Sequence, residues 1–227
     1  MKVRTIFEDD DIIVIDKPAG VESVTGPSRG ESVGKILNIK SVEREGIVHR
    51  LDKDTSGVMV LAKTQVAYNN LKKQFSDHLI KKIYQALVMG KCQEQGEIVS
   101  YIIRDPKRKQ AMKAVSYPTG LERGKLRDAH TRYKIIKEIK IGENLLSLLE
   151  VEIKTGRTHQ IRVHMESIGH PVIGDDMYGT KTSKEVSKSV GLKRQFLHAK
   201  LLKFSHPKTN KSIKFESPLA DELNNIL

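Results

Sequence analysis

The sequence predicts an α+β fold built on a mixed, largely antiparallel sheet. Three patterns carry that expectation. Short apolar runs bounded by turn residues recur along the whole chain, as in Ile12–Ile15 and Val58–Ala62. Two β-rich stretches, 130–139 and 145–153, flank Gly142-Glu143-Asn144 as a hairpin would. Helical periodicity is confined to two segments, 65–78 and 158–168. The 227 residues fit one large domain or two closely joined halves. With no internal repeat and no linker, residues 1–227 are expected to form a single domain.

The elements follow in order. Ile12–Ile15 is a short buried strand entering a turn at Lys17-Pro18-Ala19-Gly20. Residues 21–45 are polar and read as loop, marked by Gly26-Pro27 and Gly30. An apolar strand over 46–51 then runs into the turn Lys53-Asp54-Thr55-Ser56-Gly57, and Val58–Ala62 follows as a buried strand. Thr64 caps a helix over 65–78, in which Ala67, Leu71 and Phe75 recur every four residues. Lys82–Met89 is a strand with Tyr84, Ala86 and Val88 on one face. The basic, Pro-interrupted stretch 104–113 reads as a loop. Thr158 is placed to cap a helix through Ile168, with Ile161, Met165 and Ile168 on its buried side and Gly169 ending it. The Lys/Ser-rich stretch 180–195 reads as an exposed loop. Phe196–Phe204 and Ser212–Phe215 close the sheet.

Composition narrows the function classes. Hydrophobic residues make up 38% and charged residues 30%, which excludes a disordered chain. Forty Lys and Arg against 28 Asp and Glu give a net charge of +12, which suits a polyanionic partner. The single cysteine, Cys92, excludes an internal disulfide framework and a multi-cysteine metal site, and is read as a small structural residue. The run Ile12–Ile15 is too short for a signal peptide. No stretch approaches the roughly 20 apolar residues of a membrane span. A cytoplasmic location is expected.

The most informative segment is Gly46-Ile47-Val48-His49-Arg50-Leu51-Asp52-Lys53-Asp54-Thr55-Ser56-Gly57. A carboxylate stands where an apolar strand ends in a tight polar turn, with cations on both sides. That placement holds an ionised nucleophile on a rigid edge open to substrate, although a solvated surface turn has the same composition. Arg50 and Asp52, two apart in a strand, would share a face.

The segment HRLDKDTSG resembles the HRLDxxTSG signature of RNA pseudouridine synthases of the RluA branch (the RluA/RsuA type). The start, Asp11–Gly20, also fits the family, and three further matches follow in order. Lys82–Val88 is similar to the KxYxAxV strand. Lys154–His164, KTGRTHQIRVH, followed by Gly169-His170-Pro171-Val172-Ile173-Gly174-Asp175, looks like a second family segment, and Phe196-Leu197-His198-Ala199 through His206-Pro207 fits the end. The resemblance runs from about residue 5 to about residue 225. The small N-terminal RNA-binding domain of many relatives has no counterpart in it, so the expectation is a catalytic domain alone, with its target left open.

The resemblance implies a pseudouridine synthase fold and a cofactor-free, metal-free reaction on structured RNA, ribosomal or transfer, by a monomer. It implies that Asp52 is the catalytic carboxylate, attacking C1′ or assisting departure of the base and removal of the C2′ proton. It implies that Tyr84 stacks on the detached uracil and helps to remove the C5 proton. Arg162 matches the arginine that pairs with the catalytic aspartate, where a bidentate guanidinium would orient the carboxylate. Arg50 is implied to enter the RNA stack once the uridine has flipped out. Lys154, Arg157 and His159 are candidate RNA contacts, and Leu197 is a pocket wall or ordinary core.

Two other classes remain. A non-catalytic RNA-binding protein fits the charge, and a metal-dependent nuclease or glycosidase would use paired acids such as Asp52/Asp54 or Asp175/Asp176. Adjacent aspartates in a Gly-flanked turn are read as solvated. His159 and His164 are five apart with no intervening Glu, unlike a zinc helix, and are read as structural or RNA-facing. Ser56 lacks a nucleophile elbow.

Overall fold

The computed structural model describes residues 3–24, 31–40, 42–117 and 126–227. Gly26-Pro27 and Gly30 therefore lie outside the described residues. In chain order the elements are β1 (Arg4–Glu8), β2 (Ile12–Lys17), α1 (Val33–Leu37), β3 (Ser56–Ala62), α2 (Gln65–Ser76), β4 (Lys81–Met89), β5 (Gln95–Arg104), β6 (Met112–Val115), β7 (Arg127–Ile141), β8 (Asn144–Ile153), α3 (Gln160–Ser167), α4 (Lys181–Ser189), β9 (Leu197–Ser205), β10 (Ser212–Glu216) and α5 (Asp221–Asn224). They form two compact units, Met1–Ile83 with His198–Ala220, and Tyr84–Leu197 with Asp221–Leu227.

In the first unit the strand order is β1-β2-β3-β9, with β10 paired to β9. The β1–β2 hairpin turns on Asp9, whose Oδ1 accepts the N–H groups of Asp11 and Ile12. β2 and β3 are antiparallel from Ile12–Ala62 to Lys17–Gly57. β3 joins β9 in parallel at Ser56–His198 and Gly57–Ala199. All seven residues of β3 are buried, as its unbroken apolar run requires. The Thr64 hydroxyl accepts the Ala67 N–H and starts α2 where the sequence places it. The buried Gln74 of α2 donates to the Ser205 carbonyl and accepts the Ser205 N–H, fastening the end of β9.

In the second unit the order is β4-β8-β7-β5-β6. The β7–β8 hairpin closes on Gly142-Glu143, with Gly142 at φ 58° and Ile141 facing Asn144. A bulge between Ile135 and Lys137 leaves Ile136 as the extra residue, 45% exposed.

Four sequence expectations are corrected. The polar stretch 21–45 contains α1, capped by the Ser32 hydroxyl on the Lys35 N–H. The Lys/Ser-rich stretch 180–195 contains α4, because Thr180 caps it and Val186 anchors it. Its Ser187 hydroxyl also donates to the Ser183 carbonyl and accepts the Gly174 N–H. β6 begins inside the expected loop 104–113. The first residue before α3 is His159, in the left-handed region at φ 57°, with no side-chain cap, so Thr158 does not start that helix. Ile161 and Met165 are buried as expected, while Ile168, past the end of α3, is 37% exposed. Among the described residues no helix is long and apolar enough to cross a membrane.

Candidate active site

Asp52 lies in the first unit, between the turn Glu43–Gly46 and β3. The strand expected over 46–51 does not form. Gly46, at φ 74°, lies so close to β3 that a Cβ there would fall 2.0 Å from the Ala62 carbonyl oxygen. Ile47 then bridges Leu61, and the chain leaves the sheet. Polar side chains take the place of a neighbouring strand. The Ser23 hydroxyl accepts the Leu51 N–H at 3.0 Å and donates to the Leu51 carbonyl at 2.8 Å. His49 Nε2 accepts the Val60 N–H at 3.1 Å while its ring stacks on Phe75. Burial, reinforced by the charge of Lys82, pushes the His49 pKa down to about 3. The ring is thus neutral and an acceptor at Nε2.

The peptide groups on both sides of Asp52 are held. Lys17, fully buried, donates from Nζ to the carbonyls of Pro18, Val21 and Lys53 at 2.9, 2.7 and 2.9 Å. The Gly20 N–H also donates to the Lys53 carbonyl, and the Thr55 N–H to that of Asp52. Residues 17–23 thus clamp Leu51 before the carboxylate and Lys53 after it. With 48–52 irregular, the strand behind the shared face expected of Arg50 and Asp52 is absent; Arg50 is exposed and Asp52 half-buried. Ser56 bonds His198 Nδ1, His198 Nε2 bonds the Ser217 carbonyl, and His49 Nε2 is taken by the Val60 N–H.

Tyr84 and Arg162 belong to the second unit. Tyr84 stands on β4 and is 8% exposed. Arg162 is buried on α3 and grips Asp175 with two bonds, Nε to Oδ2 at 2.6 Å and Nη2 to Oδ1 at 2.9 Å. The reading of Asp175 as a solvated turn acid is corrected here. It is 2% exposed, and its Oδ1 also accepts the N–H groups of Met177 and Tyr178. That turn is an Asx turn, whose donors and guanidinium satisfy a carboxylate away from water. Asp176 is exposed.

The remaining candidates are also placed. His159 Nδ1 bonds the Tyr178 hydroxyl at 2.8 Å, and Arg162 lies over the Tyr178 ring, so one tyrosine joins these two candidates. His164 is fully buried between the hydroxyls of Thr131 and Ser100, a structural role. Lys154 pairs with Glu152 and Arg157 with Asp128 at the surface. Leu197 is 4% exposed and opens β9. Cys92 is buried with its thiol pKa raised by burial, as expected of a structural residue. Sequence reading missed Lys17, Ser23, Asp175 and Tyr178 as site residues. Only the last two left a signal, an aspartate two and three residues ahead of the N–H groups it accepts.

The model of the RNA pseudouridylate synthase family matches residues 11–167. The chain is 39% identical to the ribosomal large subunit pseudouridine synthase D of Neisseria meningitidis serogroup A, over 100% of this chain and 61% of that protein. It is 40% identical to the protein of the same name from Nitrosomonas europaea, over 99% of this chain and 64% of that one. The chain thus spans less than two thirds of these relatives. Among solved structures, the human RNA pseudouridylate synthase domain containing 1 superposes with a TM-score of 0.76 over 96% of this chain and 83% of that one, at 23% identity, which supports the fold. The family match covers the clamped HRLDKDTSG turn, β4 and the KTGRTHQIRVH segment, which carry every candidate residue except Leu197. This chain belongs to the RNA pseudouridylate synthase family.

Proposed function

We propose that this chain converts uridine to pseudouridine in structured RNA, with Asp52 as the catalytic carboxylate. The observation that carries the reading is the clamp: the peptide groups on both sides of Asp52 are fixed by Ser23, Lys17 and Gly20. Such a grip suits a residue that must meet a substrate atom in one geometry. Large-subunit ribosomal RNA is the first substrate to test, because the relatives named above act there by name.

In the reaction the bond from ribose C1′ to uracil N1 breaks, the base turns, and C1′ joins C5. The C5 proton leaves and N1 gains one, so no cofactor, redox partner or water is consumed. One carboxylate suffices, since the departing uracil is a delocalised anion, whereas a glycosidase ordinarily uses two to expel a poorer leaving group. Tyr84 stacks on the detached base and assists at C5. Arg162 supplies a fixed guanidinium to the reacting carboxylate. The target has to leave its helix for this chemistry, and the exposed Arg50 is suited to enter the stack behind it. Lys154, Arg157 and His159 hold the backbone, and Leu197 closes the pocket on an apolar side.

The test is pseudouridine formation on a large-subunit ribosomal RNA transcript. Asp52→Asn is expected to lose more than about a thousandfold in rate while keeping its melting temperature and RNA affinity. Asp54→Asn is expected to stay active, and turnover should be unchanged in a chelator. A working Asp52→Asn enzyme would refute the assignment, and a chelator-sensitive one would revive the metal-dependent reading.

A further inference from the structure

The turn 174–179 has no part in the reaction as written above, yet it is built around one residue of it. We propose that Asp175 is a positioning residue, holding the guanidinium of Arg162 in the single orientation the reaction uses. The inference rests on Arg162 serving the reacting carboxylate.

Three observations converge. First, Asp175 takes the Nε–Nη2 edge of Arg162 with both oxygens, which fixes the guanidinium plane as one bond does not. Second, Asp175 is itself immobile. Its Oδ1 accepts the Met177 and Tyr178 N–H groups, and its carbonyl accepts the Gly179 N–H. The preceding Gly174, at φ 79°, passes so close to the chain at Arg194 that a Cβ would meet the Arg194 carbonyl oxygen at 1.9 Å. The turn has no room to slide.

Third, the same turn supplies an aromatic face. The Tyr178 ring lies 5.0 Å from Arg162 Cζ and 5.4 Å from Arg108 Cζ. Its hydroxyl accepts the Met112 N–H at 2.8 Å and bonds His159 Nδ1. Burial, the first cause, pushes the phenol up to about 12, so the hydroxyl stays protonated. The ring packs on Ala111 and Val163. One turn thus presents a carboxylate and a ring to Arg162. A lysine would serve a carboxylate with charge alone; the fork and the stacked plane specify direction, and a buried ion pair is weak evidence for stability by itself.

A double-mutant cycle decides the matter, read as single-turnover pseudouridine formation on a large-subunit ribosomal RNA transcript. Asp175→Asn keeps an oxygen for the two turn N–H groups but replaces the other with a donor facing Arg162 Nε. It is expected to slow the reaction about tenfold or more with RNA affinity held within about threefold. In an Arg162→Lys background, which has no fork to lose, the same change is expected to cost less than about threefold. A full additional loss in that background would show that Asp175 acts independently of Arg162 and would overturn the proposal, as would a wild-type rate for Asp175→Asn. Should Arg162→Lys itself run at the wild-type rate, Arg162 has no place in the reaction, and the proposal falls with the reading beneath it. If Asp175→Asn does not fold, Asp175→Ser, which offers the turn an oxygen but no fork, runs the same cycle.

Discussion

Asp52 and Arg162 are both charged residues on family segments, and the molecule fixes them in opposite ways. At Asp52 the bonds grip neighbouring peptide groups: Ser23 on Leu51, Lys17 and Gly20 on Lys53. At Arg162 they grip the charged head, through Asp175 and the Tyr178 ring. The first device sets where a side chain starts and suits a group that must meet substrate from one fixed backbone position. The second sets where a side chain ends and suits a fixed charge. The sheet constrains the first, because the turn feeds straight into β3, and a local Asx turn constrains the second.

The largest effect that would break this comparison is at Gly57, where the Asp52 turn enters β3. Its φ is 118°, and a Cβ would lie 2.2 Å from the Ala199 carbonyl oxygen. Backbone meets backbone there, so relief requires opening the β3–β9 pairing. Gly57→Ala is expected to cost about 3 kcal/mol or more in denaturant unfolding. A smaller loss would mean that the start of β3 is looser than its pairing with His198 and Ala199 implies.

Ser23→Ala comes next, since it removes both bonds to Leu51 and leaves a buried N–H and C=O unsatisfied, at about 2 kcal/mol. If the clamp positions Asp52, the rate of isomerisation should fall while RNA affinity holds. Loss of stability with an unchanged rate would reduce Ser23 to a fold residue.

How far the sequence revealed these devices follows from their physics. Thr64, the β7–β8 hairpin and β3 were legible because caps, turns and apolar runs are local codes. Asp52 and Arg162 were legible through ungapped family segments. Lys17 was not, because a lysine that spends three hydrogen bonds on three carbonyls looks like any surface lysine in a turn. The strand expected over 46–51 failed because a serine 28 residues away bonds Leu51, and no pattern within the segment encodes that. α4 was hidden by its composition: one valine and two serines form its buried side.

Acid should act on the core of the second unit before it acts on the carboxylates. Burial, with a further contribution from the charge of His130, lowers the His164 pKa from 6.5 to about 4. Between those values the unfolded chain binds a proton there and the folded chain does not, so stability falls as pH falls through this window. The expected loss is about 1 kcal/mol for the first pH unit below about 6.5. Asp105, held below the usual carboxylate range by Arg108, adds its own loss only near and below its ordinary value of 3.8. Unfolding measured from pH 7 to 5.5 tests this window, in which buried His49, its pKa lowered to about 3, adds a like loss, so the comparison with His164→Asn isolates His164. A flat profile there, or one unchanged in His164→Asn, would remove His164 as its source.

The smallest stability effect is expected at Arg157, from the same segment as Arg162. Its guanidinium also makes two bonds, to the Asp128 carbonyl and to Asp128 Oδ1, both at 2.8 Å. The difference is solvent: the Asp128 side chain is 70% exposed and that of Asp175 is 0%. Water and salt screen the exposed pair, and holding two long side chains together offsets most of its Coulomb energy, so Arg157→Ala should change stability by less than about 1 kcal/mol. A cation in so weak a pair exchanges its carboxylate for a phosphate at little cost. If Arg157 holds RNA, its removal should make the slope of log affinity against log salt shallower by about one, with the isomerisation rate on bound RNA unchanged. An unaltered slope would take Arg157 out of the RNA interface. A rate loss at saturating RNA would instead give it the role assigned to Arg162, and the contrast between the arginine with a buried partner and the one with an exposed partner would fail.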